Sequence, residues 1–455
     1  MRHISPAATA SWPLQTPTLC AGLIAATLVL IPCAADAGSF DVFGYGARGI
    51  GLGGALTATV SDHTAVYYNP AGLARRDVVQ LGTDMYTAVP SLSLDLQSAP
   101  QDVAYTPAKP PVHSGAGIGA VFPLVEGLNL GVALHIPLGR LLTVELLDPQ
   151  VPQWYRYDAL PGKIQIAAGL GYRLLDWVYV GVGFQSLASM EGDAAIALDV
   201  SNEQIPRREL SLELIHTASP TAGVVVEPPF APGLSLGVSY RGDLSLEFGL
   251  PIAFDLGEAL DFTIAATGIT LYTPHEVSGG IAFDFRQTTG APLVLSTDVT
   301  WSAWSLAPPP SVDFYLDFEG DLIDAAGAED LLDFRVGQEP QAAFRDTVTV
   351  RAGGEWAPYP SLALRAGYAY RPSALAPATG FTNYVDTDAH LLSVGAATQF
   401  NDPLEVEESP ITLEFGAQIA LLQETEMPKD GTGPVDDFTA GGHVLTLALT
   451  ARHDF

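Results

Sequence analysis

The sequence predicts an all-β fold, a transmembrane antiparallel β-barrel of about 14 strands that encloses a plug formed by its own N-terminal segment. Three observations lead there. Hydrophobic residues make up 48% of the chain and charged residues only 16%, well below the roughly 25% charged content of soluble domains. Beyond the leader, no apolar run reaches the roughly 18 residues a membrane helix needs. Long stretches instead alternate apolar and polar positions with period two, and their connections alternate between brief and long, as in outer-membrane barrels with short periplasmic turns and long outer loops.

Residues 1–37 read as a secretory signal peptide. Arg2 is the only cation before the apolar run from Leu19 to Ile31, and Ala35-Asp36-Ala37 places small residues at both positions of an A-x-A cleavage site. Both cysteines, Cys20 and Cys33, fall inside this leader, so disulfides and thiolate metal sites are excluded from the mature chain. Ile31-Pro32 before Cys33 argues against acylation there.

Residues 38–76 form the expected hatch. Six glycines lie between Gly44 and Gly54, and no part has the length or period of a buried helix. Gly44-Tyr45-Gly46-Ala47-Arg48-Gly49 matches the dinucleotide-binding spacing, but that fingerprint works only between a buried strand and a helix. Glycine suits tight, irregular backbone inside a lumen.

From residue 77 to 455 the chain reads as barrel. In the stretch after Lys163, Ile164, Ile166, Ala168, Leu170, Tyr172 and Leu174 share one face, against Gln165, Ala167, Gly169, Gly171 and Arg173. Near the C-terminus Leu445, Leu447 and Leu449 oppose Thr446, Thr450 and Arg452. With turns taken as Pro, Gly, Asn and Asp clusters, the strands fall at 77–96, 113–122, 128–136, 163–174, 177–200, 209–227, 233–255, 262–286, 292–304, 346–357, 361–371, 388–400, 410–422 and 441–455. In this count 209–217 and 262–273 are alternatively hairpins outside the membrane. Trp177, Tyr179, Tyr240, Trp301, Trp356, Tyr368 and Tyr370 recur near strand ends, as interfacial girdles do. Only about eight strands close tightly enough for side chains to fill the interior, so a wider barrel needs a plug.

The formal net charge of −31, with only Lys109, Lys163 and Lys429 as lysines, excludes a nucleic-acid partner. Acid concentrates between residues 307 and 341, where Leu322, Ile323, Ala326, Leu331 and Leu332 have the spacing of a short amphipathic helix. That loop is either a solvated acidic surface or a site for divalent cations. Histidines stand at no metal-ligand spacing, and neither G-x-S-x-G nor H-E-x-x-H occurs. No metal, cofactor or enzymatic activity is expected.

The phrase Tyr67-Tyr68-Asn69-Pro70-Ala71-Gly72-Leu73, following a Gly-rich run, resembles the outer-membrane transporters of long-chain fatty acids and aromatic hydrocarbons, the FadL/TodX-like family. Further similar phrases are His135-Ile136-Pro137-Leu138-Gly139, Tyr272-Thr273-Pro274-His275-Glu276, Asp298-Val299-Thr300-Trp301-Ser302 and the terminal aromatic Phe455. Together they span nearly all of the mature chain.

The resemblance implies a monomeric barrel in the bacterial outer membrane, surrounded by lipid and lipopolysaccharide, with Phe455 read by the barrel-assembly machinery. It implies a hatch containing Asn69, Pro70 and Ala71, and passive uptake of a hydrophobic small molecule that leaves sideways at a kinked third strand. Pro137 and Gly139 mark that kink, since proline cannot donate to a ladder; Pro137 is equally read as a strand terminator. Arg173, Arg241, Arg351, Arg365 and Arg452 are the expected luminal cations, either for a carboxylate head group or paired with Glu355, Glu414 and the hatch. No lysine is placed for that role, which leaves a neutral hydrocarbon or another lipid open as substrate. The second reading is a non-transport barrel serving as a surface-interaction or structural protein.

Overall fold

A computed structural model describes residues 40–96, 112–138, 152–157, 164–199, 204–255, 261–308, 312–319, 334–336, 343–379, 383–401, 409–429, 431 and 435–455. The signal-peptide reading, Gly139 and the helix expected around Leu322 lie outside these residues.

The chain forms a closed antiparallel ring. Its strands are β1 (Gln80–Leu96), β2 (His113–Val125), β3 (Leu128–Pro137), β4 (Ile164–Leu175), β5 (Val178–Asp199), β6 (Gln204–Val226) and β7 (Leu234–Arg241). They continue as β8 (Glu276–Asp284), β9 (Leu293–Ser302), β10 (Thr347–Tyr359), β11 (Leu362–Arg371), β12 (Ala389–Phe400), β13 (Ile411–Met427) and β14 (Phe438–Asp454). Each pairs with the next, and β14 closes on β1 from Gln80↔Asp454 to Leu96↔Phe438. The expected count of 14 strands is borne out.

Two predicted strands needed dividing. The stretches 233–255 and 262–286 each contain a ring strand and a strand outside the ring. Leu244–Asp255 and Asp261–Thr273 form an outer hairpin, joined by Val312–Glu319 and Phe334–Val336. The breaks fall at Gly242-Asp243 and Pro274-His275, where turn-forming residues and a missing N–H interrupt the alternation.

The period-two pattern becomes two surfaces. On β14, Leu445, Leu447 and Leu449 are 39–54% exposed, whereas Thr446, Ala448 and Thr450 are 3–4% exposed. Apolar side chains therefore face outward and small or polar ones face the lumen, the arrangement a lipid-embedded barrel requires. Trp177, Tyr240, Trp301, Trp356 and Tyr368 are exposed near strand ends. Tyr179, expected with them, turns inward onto Ala71 and Ala74.

The turns after β2, β4 and β10 are short, and both Val79 and Phe455 lie at that same end, joined by the Phe455 N–H to the Val79 carbonyl at 2.8 Å. That end is periplasmic by the rule of short inner turns.

Candidate functional site: the hatch and the chambers it separates

The segment expected to be the hatch, Phe40 to Arg76, consists of three short helices, α1 (Phe40–Phe43), α2 (Ala47–Gly51) and α3 (Ala65–Tyr68), and a 3-10 helix (Pro70–Arg75). None has length enough to be stable alone. Their stability comes from the wall. Leu52, Leu56, Val60, Val66 and Leu73 form a buried core with Val121, Ala133 and Ala167 of the barrel.

Against β4 to β13 the hatch backbone lies directly on wall glycines. A Cβ at Gly181 would collide with Pro70 and Ala71, one at Gly223 with Asn69, one at Gly237 with Thr57, one at Gly367 with Leu52 and Gly53, and one at Gly416 would stand 2.5 Å from the Ala47 carbonyl oxygen. Backbone at that distance cannot tolerate a side chain, so glycine at these lumen positions sets how tightly the plug fits. Polar wall side chains satisfy the hatch's irregular backbone, as buried peptide groups require. The Ala47 N–H donates to Thr450 Oγ1 at 2.9 Å, the Thr57 N–H to Asp298 Oδ2 at 2.8 Å, and Asn129 Nδ2 to the carbonyls of Leu73 at 2.6 Å and Arg76 at 2.8 Å.

Asn69 is the clip of the structure. It is fully buried, and its Oδ1 accepts the Ala71 N–H at 3.1 Å, capping the 3-10 helix with Pro70 at its first position. Its Nδ2 donates to the Thr57 carbonyl at 2.8 Å and faces the carbonyls of Val224 on β6 and Val238 on β7, each at 3.3 Å. Ala71 is fully buried as well. The Asn-Pro-Ala phrase thus joins hatch to wall.

On the opposite wall the fastening is ionic. Arg48 of α2 faces Glu355 at 3.2 Å and Asp62 at 4.0 Å; Asp62 faces Arg452 at 3.2 Å; Arg452 faces Glu414 at 3.5 Å; Glu414 faces Arg365 at 3.3 Å; Arg365 returns to Glu355 at 2.8 Å. Three guanidiniums and three carboxylates close a neutral ring. Burial opposes the charge of Asp62, yet Arg452, His63 and Arg48 hold its carboxyl well below the usual range. His63 lies 2.7 Å from Asp84, and this partner raises its pKa despite burial.

Two cavities lie beside residues 40–76, one toward each end of the barrel. The periplasmic one, about 270 Å³, is lined by Arg48, Arg75, Arg76, Arg286, Glu227, Asp284 and Glu355. The outer one, about 100 Å³, is lined by Phe40, Ile50, Tyr67, Tyr68 and Leu391 together with Arg241, Arg351, Arg371 and Glu276. Arg241 pairs with Glu276 and lies 4.3 Å over the Tyr67 ring. Arg351 donates to Thr300 Oγ1 at 2.6 Å, and Arg371 to the Tyr157 hydroxyl at 2.7 Å. Among the described residues neither Arg351 nor Arg371 has a carboxylate within ion-pair distance.

The arginines singled out in the sequence therefore separate. Arg241 and Arg351 line the outer chamber, Arg365 and Arg452 belong to the ionic ring, and Arg173 is not luminal but sits at the periplasmic rim, 2.7 Å from Asp77. Arg371 joins Arg241 and Arg351 as a further cation lining the outer chamber. Pro137 ends β3, paired with Gly115 of β2, while the ladder to β4 stops at His135↔Gln165. Phe455 is partly exposed and stacks edge-on against His453 at 4.4 Å. No metal-ligating group of side chains occurs among the described residues.

Residues 295–455 match the family described as Outer membrane protein transport protein (OMPP1/FadL/TodX). Among solved structures, a Pseudomonas aeruginosa FadL homologue shares the fold at 16% identity and TM-score 0.56, over 94% of this chain and 99% of that one. The Ralstonia pickettii toluene transporter TbuX does so at 12% identity and TM-score 0.54, over 92% and 100% of the respective chains. The P. putida toluene transporter TodX does so at 12% identity and TM-score 0.56, over 91% and 99%. No curated protein matches the chain. Residues 295–455 thus resemble the outer membrane protein transport family in sequence, and the described chain shares the barrel fold of these solved structures.

Proposed function

We propose that this barrel takes up amphipathic molecules with a hydrocarbon body and one anionic head group, passively and with lateral release. The observation that carries the head-group reading is the pair Arg351 and Arg371, guanidiniums that line the outer chamber without a carboxylate partner among the described residues. The lining of that chamber carries three arginines and one carboxylate, Glu276, and a planar guanidinium is well matched to a carboxylate. Phe40, Ile50 and Leu391 supply apolar lining for the body.

Lateral release is supported by what lies below. The periplasmic chamber is walled by charged residues, so a hydrocarbon tail moving straight down would forgo roughly 0.8 kcal/mol per methylene relative to entering lipid. Phe40 lines the outer chamber and packs edge-on against His135 of β3, 4.7 Å away. Two residues further, Pro137 has no N–H to offer β4, which makes this the natural place for a sideways path.

The test compares uptake of a labelled long-chain carboxylate with that of its methyl ester in cells expressing the barrel. Arg351→Met is expected to lower carboxylate uptake about tenfold, equivalent to about 1.4 kcal/mol, and to leave the ester within about twofold. Equal effects on both tracers would exclude the head-group role. Uptake of neither tracer above cells lacking the barrel would exclude the channel reading.

A further inference from the structure

We infer that residues 152–157 form a strap gate across the outer mouth, latched by Arg156 and Asp386. The inference rests on the channel reading, since a gate matters only if something passes. Its geometry stands independently. The segment belongs to the connection between β3 and β4, whereas its partner Tyr384–Val385 belongs to the connection between β11 and β12, nearly opposite in the ring. Gln153 and Trp154 pair in parallel with Tyr384 and Val385, through the Gln153 N–H to the Asn383 carbonyl at 3.0 Å and the Tyr155 N–H to the Val385 carbonyl at 2.9 Å. Two loops from opposite walls thus meet over the lumen in a bridge that spans two residue pairs among the described residues.

Arg156 fixes the bridge. Its Nε donates to Asp386 Oδ2 at 3.0 Å, and its guanidinium stacks 4.6 Å over the Trp304 ring, which comes from the β9–β10 connection. Both members of the pair are nearly inaccessible. Trp154 and Tyr157 are 1% exposed and share one apolar cluster with Phe43 of the hatch and Leu391 of the wall. The strap reaches the chamber as well, because the Tyr157 hydroxyl accepts from Arg371.

A chamber of about 100 Å³ falls short of the roughly 300–1,000 Å³ of ligand-binding pockets, so a ligand must displace something to enter. Hatch and wall are joined by packed backbone and a six-member ionic ring. Among the described residues the strap is fastened by the two-pair bridge, the Arg156–Asp386 latch and the packing of Trp154 and Tyr157. Its parting enlarges the chamber from the outside and frees Arg371 from Tyr157.

The mature chain has no native cysteine, so single reporters are clean. In the Gln153→Cys/Tyr384→Cys variant, the oxidised form is expected to lose at least tenfold in tracer uptake and to recover it on reduction, with cross-linking verified by gel mobility. Equal uptake by the fully cross-linked and reduced forms would overturn the gate. A second readout does not depend on transport. Ser278→Cys places a thiol in the outer chamber, and a bulky membrane-impermeant maleimide added outside is expected to label it several-fold faster when Arg156→Ala is also present. Unchanged labelling overturns the latch whatever the channel carries.

Discussion

Arg48 of the hatch and Glu355 of β10 face each other at 3.2 Å and close a ring of six charges in which each carboxylate lies between two guanidiniums. Removing one partner of such a group leaves an uncompensated charge in a poorly solvated place. Glu355→Gln is therefore expected to weaken hatch docking by about 3 kcal/mol. Liposome-swelling measurements should show faster entry of small polar solutes, while the barrel keeps its heat-modifiable mobility. A barrel that leaks no more than wild type would mean that the ring does not hold the plug.

The grip should depend on pH from both sides. The folded pKa of His63 is raised, so its contribution is complete below about 6.5 and is lost as pH rises through the higher folded value. That of Asp62 is depressed, so its contribution is complete above about 3.9 and is lost as pH falls through the folded value. Solute leakage should be lowest between these limits and climb on the alkaline side. His63→Gln should remove the alkaline rise; a rise that persists in this variant would assign it elsewhere.

Asn69 makes one capping bond, and its Nδ2, with two N–H donors, lies within hydrogen-bond distance of carbonyls on three segments. With roughly 1 kcal/mol net for each bond lost and a cost for each group left unpaired, Asn69→Ala should destabilise hatch docking by about 2–4 kcal/mol. Asn69→Asp should fare no better, because it keeps the cap acceptor but offers the three carbonyls no donor. Protease accessibility of residues 40–76 at fixed barrel stability is the measurement.

Gly223→Ala has no room for its methyl beside Asn69 and should displace the hatch, costing about 1–3 kcal/mol by overpacking. Gly279→Ala meets nothing within 4 Å and serves as the control, with an expected change within about 0.5 kcal/mol. The same protease assay separates them, and equal behaviour would remove the glycine belt from any role in fit.

The barrel was legible because lipid on one side and a wet, plugged lumen on the other impose a period of two, and a period is local. Strand number and polarity followed from turn chemistry, which is local too. The hatch was legible as a Gly-rich stretch that fits neither lipid nor a ladder. What each hatch residue does was not, because its partners lie far off in sequence: Asp62 meets Arg452, 390 positions away. Five arginines on alternating strands looked equivalent until the ring closed around Arg365 and Arg452, left Arg351 facing the chamber, and put Arg173 at the rim beside Asp77. Strand stretches 233–255 and 262–286 each kept a continuous apolar rhythm across a turn, and only pairing decided where the ring ends and the outer hairpin begins. Alternation and turn chemistry determined by themselves that this chain is a barrel, and the Gly-rich stretch pointed to a plug. Closure of the ring in three dimensions decided which charges join the ionic ring and which line the outer chamber, because those partners are far apart in sequence.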